Sequence, residues 1–117
     1  MTAQRRIEVS KTGDVTVVRF IDKKVLDEES IQELGKELFE LVEVQNRRQM
    51  LLNFSNVEFI SSATLGKLIV LDRKVKTAKG RLRMCHIRPE ILEVFRITKL
   101  DKVFDIRDEE SEALAAF

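Results

Sequence analysis

The repeat distance between apolar residues changes along this chain, and the change limits which folds it can form. Valines alternate with polar residues on both sides of the turn-like residues 11–14, which predicts a β-hairpin. After residue 24, apolar side chains recur at steps of three and four instead. That spacing predicts an amphipathic helix capped by Asp27, whose apolar face carries Ile31, Leu34, Leu38, Leu41 and Val42.

Strand-like and helix-like segments then continue to alternate. We predict strands at residues 50–54 and 81–87, and a final short strand that carries Leu100, Val103, Phe104 and Ile106. We predict helices from residue 64 to about 77, from Pro89 onward, and over residues 108–117. Gly80 is predicted at the C′ position that ends the first of these helices. The order β-β-α-β-α-β-α-β-α predicts an α/β fold with right-handed crossovers and a partly parallel sheet.

Composition narrows the class of protein. The 117 residues suit one domain. A balance of 21 basic and 20 acidic side chains argues against a general nucleic-acid or anionic-membrane binder. The chain has no apolar run of membrane-spanning length, no apolar signal core at its start and a single cysteine, Cys85. These features predict a cytoplasmic protein without disulfides.

Histidine and cysteine are scarce, and the plentiful carboxylates lie on predicted helix surfaces with no sign of convergence in a cleft. His86 is the only histidine and follows Cys85 directly, but neighbouring side chains of a strand face opposite sides, which argues against a nucleophile–base pair. We interpret them as a sheet-surface imidazole and a core thiol. Metal-ligand spacing is missing, and the four glycines are scattered. We therefore expect no enzymatic activity, no metal and no cofactor.

Charge is segregated although it balances overall. Residues 22–43 hold eight acidic residues and three lysines, whereas residues 67–88 hold eight basic residues and one acid, Asp72. The favoured interpretation is an acidic and a basic helix that pack side by side and pair at their rims. The alternative is a basic face for an acidic protein partner or a phosphorylated group. A nucleic-acid role is weaker, because the basic segment has no aromatic residue for base stacking.

Residues 59–66 read Phe-Ile-Ser-Ser-Ala-Thr-Leu-Gly and place three hydroxyls between a buried strand and a helix. A hydroxyl at such a junction can cap the helix. A phosphate there would also meet free backbone N–H groups and the positive helix end. On the residues alone, the simpler interpretation that Ser62 merely caps the helix is favoured.

This run resembles the signature of the anti-sigma factor antagonists, the STAS domain family, whose loop typically reads Phe-apolar-Asp-Ser-Ser-Gly-Leu-Gly. The resemblance covers nearly the whole chain and includes Leu51, Asn53, Val57, residues 80–84, Pro89, Phe95, residues 98–100 and Phe104. It implies a single STAS domain over residues 1–117. The implied fold is a mixed sheet with helices mainly on one side, arranged as a right-handed β-α superhelix.

The resemblance also implies partner switching. In this family the unmodified domain binds an anti-sigma factor that is often a serine kinase, phosphorylation breaks the complex, and a serine phosphatase of the PP2C type restores it. The phosphorylated serine corresponds to Ser62, with Thr64 as second choice and Ser61 as third. The implied partner-binding residues are Glu58, Ser61, Ser62, Ala63, Thr64, Lys67, Asp22, Lys23 and Lys24.

The loop departs from the family pattern at three positions. Ser61 replaces the acidic residue, Ala63 the second serine and Thr64 the glycine, which should stiffen the loop and alter recognition by a partner that reads the acid. An alternative is a non-phosphorylated scaffold or stressosome-like assembly module, and another is a small-molecule or lipid carrier. We expect a monomer or weak dimer that binds neither nucleic acid nor membrane directly.

Overall fold

A computed structural model describes residues 6–117 as one mixed sheet with four α-helices. The strands are β1 (Ile7–Thr12), β2 (Val15–Phe20), β3 (Gln49–Asn53), β4 (Arg81–Cys85) and β5 (Asp105–Arg107). The helices are α1 (Glu28–Glu43), α2 (Ser62–Thr77), α3 (Pro89–Ile97) and α4 (Glu110–Ala115). The strands lie in chain order, with β1 antiparallel to β2 and all later pairs parallel. The predicted STAS-type mixed α/β fold is confirmed.

Because each crossover moves to the next strand in the same direction, α1, α2 and α3 share one face of the sheet. The main core lies between these helices and the strands. A row of phenylalanine rings runs through it: Phe54 lies 4.8 Å from Phe20 and 6.4 Å from Phe95 between ring centroids, and Phe95 lies 5.9 Å from Phe104. The row joins β2, the end of β3, α3 and the segment before β5.

The start of α1 and its packing on α2 follow the sequence closely. The Asp27 carboxylate accepts a hydrogen bond from the Ser30 backbone N–H at 2.9 Å, which confirms the cap and lowers the pKa of Asp27. The Lys67 stem crosses α1 at Gly35, where an added Cβ would lie 2.9 Å from Lys67 Cδ. Lys74 Nζ lies 3.3 Å from Glu43 Oε1. The interpretation of an acidic and a basic helix side by side is confirmed.

The end of α2 differs from the prediction. Lys79, not Gly80, holds the left-handed C′ position, with φ of 62°. The Gly80 N–H donates to the Val75 carbonyl at 2.8 Å and the Lys79 N–H to the Lys76 carbonyl at 2.9 Å, which together form a Schellman motif. Gly80 is needed for a different reason: a Cβ there would lie 2.2 Å from the Arg48 carbonyl oxygen.

The predicted final strand is mostly wrong. Leu100–Lys102 forms a 3₁₀ turn that follows Lys99 in the left-handed region. The backbone N–H groups of Val103 and Phe104 both donate hydrogen bonds to the Leu100 carbonyl, at 3.0 Å each. Leu100 and Phe104 therefore reach the core at helical spacing while Val103 stays exposed, and only Asp105–Arg107 extends the sheet.

The second sheet face is covered by α4. Ala113 packs on Val15, Val17, Leu51 and Cys85, with Leu114 and Phe117 beside them. Cys85 is fully buried, as predicted for a core thiol, and burial raises its pKa to about 12.

The predicted strand over residues 81–87 is too long, because β4 ends at Cys85 and His86 takes φ of 55°. The imidazole still lies at the sheet surface, where Nε2 accepts the Glu110 backbone N–H at 3.2 Å.

Glu110 anchors α4, and its removal should destabilise the protein. Its Oε1 accepts hydrogen bonds from Arg19 Nη2 and from the buried Asn53 Nδ2, each at 2.9 Å. In Glu110→Ala the Asn53 donor loses its acceptor, so we expect the free energy of unfolding to fall by about 1–3 kcal/mol in urea denaturation. Glu112→Ala removes an exposed carboxylate from the same helix and serves as the control. Equal stability of the two variants would contradict the anchoring role.

Candidate docking site at the loop before α2

The segment between β3 and α2 lies at the carboxyl ends of the parallel strands and is fastened to the chain that leaves β2. Lys24 and Phe59 form a parallel bridge, and the Glu58 N–H donates to the Lys23 carbonyl at 2.9 Å. The Asn56 side-chain amide donates to the Ile21 carbonyl. The structure thus brings the two loops that were predicted to bind a partner into direct contact.

Some charged side chains of these two loops already form ion pairs within the domain. Lys23 Nζ lies 3.8 Å from Glu58 Oε2, which links the two loops at their exposed surface. Asp22 pairs with Arg6 Nη1 at 3.0 Å, so its carboxylate is already engaged. Lys24 is exposed. Of this charged set, Lys23, Lys24 and Glu58 are the side chains most open to a partner.

Ser61, not Ser62, is the cap of α2. Its Oγ accepts the Thr64 backbone N–H at 3.2 Å and lies 3.0 Å from Thr64 Oγ1. The helix therefore starts at Ser62, two residues before the predicted start. Thr64 is only 6% exposed. The interpretation of Ser62 as a mere cap is wrong, and two of the three hydroxyls are engaged with each other.

Ser62 is exposed at the first residue of α2. Its hydroxyl makes no hydrogen bond to any residue from 6 to 117. Ser61 Oγ accepts the Thr64 N–H, but the first turn of α2 contains no acidic residue, so no negative charge there neutralises the remaining N–H groups or the positive dipole end. This geometry offers an accessible hydroxyl next to an electrostatic environment that suits a phosphate.

The surface around Ser62 is more apolar than the sequence indicated. Leu26 is 61% exposed and Phe59 47% exposed. A groove between the starts of α1 and α2 is lined by Leu26, Ile31, Ala63, Gly66 and Val70, with Glu28, Gln32 and Lys67 at its sides. Ala63, a predicted contact residue, therefore lies in the groove. Sequence reasoning missed Leu26, because the Val25-Leu26 pair gives no sign of which of the two side chains packs against the core and which is exposed.

Lys67 is less available to a partner or to a phosphate on Ser62 than predicted. Its Nζ donates to Gln32 Oε1 at 3.0 Å, which directs the side chain across α1 and not toward Ser62. A phosphate on Ser62 would therefore depend first on the backbone N–H groups of α2.

Two further observations concern the described part of the chain, residues 6–117. It contains no cluster of three or more histidine, cysteine or carboxylate side chains that could hold a metal ion. None of its helices combines the length and apolar character needed to cross a membrane.

Sequence comparison identifies the family of this mixed α/β domain. The sequence model of the STAS domain matches residues 6–113. This chain therefore belongs to the STAS domain family.

Individual relatives agree over most of their length. BtrV of Bordetella bronchiseptica, which is assigned as an anti-sigma factor antagonist, is 27% identical over 93 residues, covering 80% of this chain and 79% of BtrV. The STAS domain protein of Planctomyces limnophilus is 25% identical with a TM-score of 0.84, covering 94% of this chain and 96% of that structure. Phosphorylated SpoIIAA from Bacillus has a TM-score of 0.70 and 18% identity, covering 94% and 97%, and shows the fold alone.

Proposed function

We propose that residues 1–117 form a single STAS domain that acts in the cytoplasm as an anti-sigma factor antagonist, without catalytic activity. In its unphosphorylated state the loop of residues 54–61 and the start of α2 bind an anti-sigma factor. The observation that carries this proposal is Ser62, an exposed hydroxyl at a helix start, which follows the exposed Phe59 in the loop and directly precedes Ala63 of the Leu26 groove. The assignment of BtrV and the phosphorylated form known for SpoIIAA support it.

The switch requires no refolding. A phosphate on Ser62 adds roughly 1.5 to 2 negative charges, which the free N–H groups of the first turn of α2 can hold in place. The same charge lies next to Phe59 and the Leu26 groove, where a bound partner would have to desolvate it at high cost. Modification therefore weakens docking while the domain stays folded. The anti-sigma factor is proposed as the kinase, and a phosphatase of the PP2C type as the enzyme that reverses it.

The three hydroxyls are not equivalent as acceptors of the phosphate. Thr64 is buried, and its side chain contacts Ser61 Oγ. Ser61 holds the Thr64 N–H as helix cap, so modification of Ser61 would disrupt the start of α2. Ser62 is the hydroxyl that can be modified at no structural cost, which supports its first rank over Thr64 and Ser61.

The proposal is tested with the cognate kinase, ATP and peptide mass spectrometry. We expect the phosphate on Ser62 and no modification of Ser62→Ala. In calorimetric titration with the anti-sigma factor, Ser62→Asp should bind at least about tenfold more weakly than wild type, because a desolvated charge costs more than a surface one. Ser111→Asp adds the same charge at an exposed position on α4 and should bind normally.

Two results would contradict this function. Wild-type affinity of Ser62→Asp would exclude the charge switch. A large homo-oligomer in native mass spectrometry, together with unchanged behaviour of Ser62→Ala, would favour the scaffold or stressosome-like module. The proposed switch protein should instead be a monomer or weak dimer.

A further inference from the structure

A group of basic residues lies at the end of the sheet opposite the Ser62 loop. We call Lys11, Arg47, Arg48, Lys79 and Arg81 the basic pole. The strand register brings them together: Lys11 faces Thr16 in the hairpin, Thr16 lies beside Met50, and Gln49 lies beside Arg81. The Arg81 N–H donates to the Arg48 carbonyl at 2.7 Å. Residues distant in sequence thus meet where β2, β3 and β4 begin.

The charge of the basic pole is not neutralised within the described chain. None of its five cations lies within 4.0 Å of a carboxylate of residues 6–117. The nearby Lys74 and Lys76 differ, because they pair with Glu43 and Asp72. Asp14 is the acidic residue that borders the pole. A chain with a net charge of only +1 therefore concentrates positive charge at one end.

The part of the pole formed by Lys11, Arg47 and Arg48 is concave and polar. Lys11, Asp14, Thr16 and residues 45–49 line a shallow depression. Arg47 is held within it, since Nε and Nη2 both donate to Gln45 Oε1 at 3.3 Å. The guanidinium is therefore partly preorganised, with the planar fork that suits a carboxylate. At the border of the pole, Val44 is 71% exposed and offers an apolar contact.

The chemistry of this lining favours a polypeptide over other polyanions. Gln45, Asn46 and Gln49 present amide donors and acceptors, which match a peptide backbone. A single-stranded nucleic acid would need an aromatic side chain on which its bases could stack, and the lining has none. A bilayer surface would require more apolar contact than Val44 provides.

We propose that the basic pole binds an acidic protein segment, at a site separate from the Ser62 loop. Strands of five or six residues separate the two ends by roughly 17–20 Å, so both ends can be occupied at once. The domain would then be a two-ended adaptor, which holds an acidic chain at one end while the loop carries the switch at the other. This inference rests on the charges and the register, and it does not depend on the proposed function.

The test uses a fluorescein-labelled acidic octapeptide of glutamates with one central leucine, and the same peptide with glutamines as control. In anisotropy titrations we expect the acidic peptide to bind, the control not to bind, and added salt to weaken binding. Arg48→Gln/Arg81→Gln should bind at least about fivefold more weakly. Arg88→Gln/Lys102→Gln removes the same charge from exposed positions elsewhere and should bind as wild type, with circular-dichroism melts confirming that both variants fold.

Three outcomes decide the proposal. Unchanged binding of Arg48→Gln/Arg81→Gln would overturn it. So would tighter binding of single-stranded RNA or of anionic phospholipid vesicles than of the acidic peptide. If Ser62→Asp binds the acidic peptide with the same affinity as wild type, the two ends of the domain act independently. That result would hold whether or not Ser62 is phosphorylated.

Discussion

Replacing Gly80 with alanine is expected to lower the free energy of unfolding by about 3 kcal/mol or more. The new Cβ would lie 2.2 Å from the Arg48 carbonyl oxygen and 2.9 Å from its carbon. Backbone cannot rotate away as a flexible side chain can, and the same oxygen accepts the Arg81 N–H that joins the starts of β3 and β4. Urea denaturation of the purified variant measures the loss.

Gly66 supplies the matched control. It lies inside α2, and an added Cβ there meets nothing within 4 Å. Gly66→Ala should therefore keep or raise stability, by up to about 1 kcal/mol, because alanine loses less conformational freedom in a helix. If Gly80→Ala proves as stable as Gly66→Ala, the close approach at Arg48 is not a constraint on the fold.

Phe54→Ala is expected to cost about 3–5 kcal/mol of unfolding free energy. Phe54 is 1% exposed and contacts the rings of Phe20 and Phe95, so its loss leaves a cavity between β2, β3 and α3. The surrounding rings cannot close it, because they are fixed on separate elements. Thermal and urea unfolding should both show the effect.

Phe59→Ala makes the same change five residues later, on an exposed ring. Its stability should stay within about 1 kcal/mol of wild type, whereas its affinity for the anti-sigma factor should fall if the proposed docking surface is right. A stability loss as large as that of Phe54→Ala would show that Phe59 is a core residue and not a contact residue.

Local chemistry explains which structural features were predictable. The Asp27 cap and the apolar face of α1 depend on residues within one or two turns, and both were predicted. The choice between Ser61 and Ser62 as cap of α2 was not, because two adjacent serines offer the same side chain and the helix start is set by packing. Leu100 and Phe104 fit a strand or a helical turn equally well by spacing, and tertiary contacts favoured the turn.

In the candidate docking site, too, some features could be predicted from the sequence and others could not. Parallel strands end at one edge, so the meeting of residues 21–24 with Glu58 followed from topology. The exposure of Phe59 and Leu26 did not, since apolar side chains are predicted to be buried by default. Lys67 was predicted to contact a partner, but its stem lies across α1 over Gly35 and its Nζ donates to Gln32.

The contact between the Lys67 stem and Gly35 limits which substitutions these two positions can accept. The missing side chain at Gly35 leaves room for the Lys67 stem, and α2 carries both Lys67 and, at its start, Ser62. A bulkier residue at position 35 must displace either the Lys67 stem or the whole helix, and the second would misalign Ser62 with its neighbours on the loop. A larger side chain at position 35 is therefore best accommodated when position 67 carries a side chain shorter than lysine.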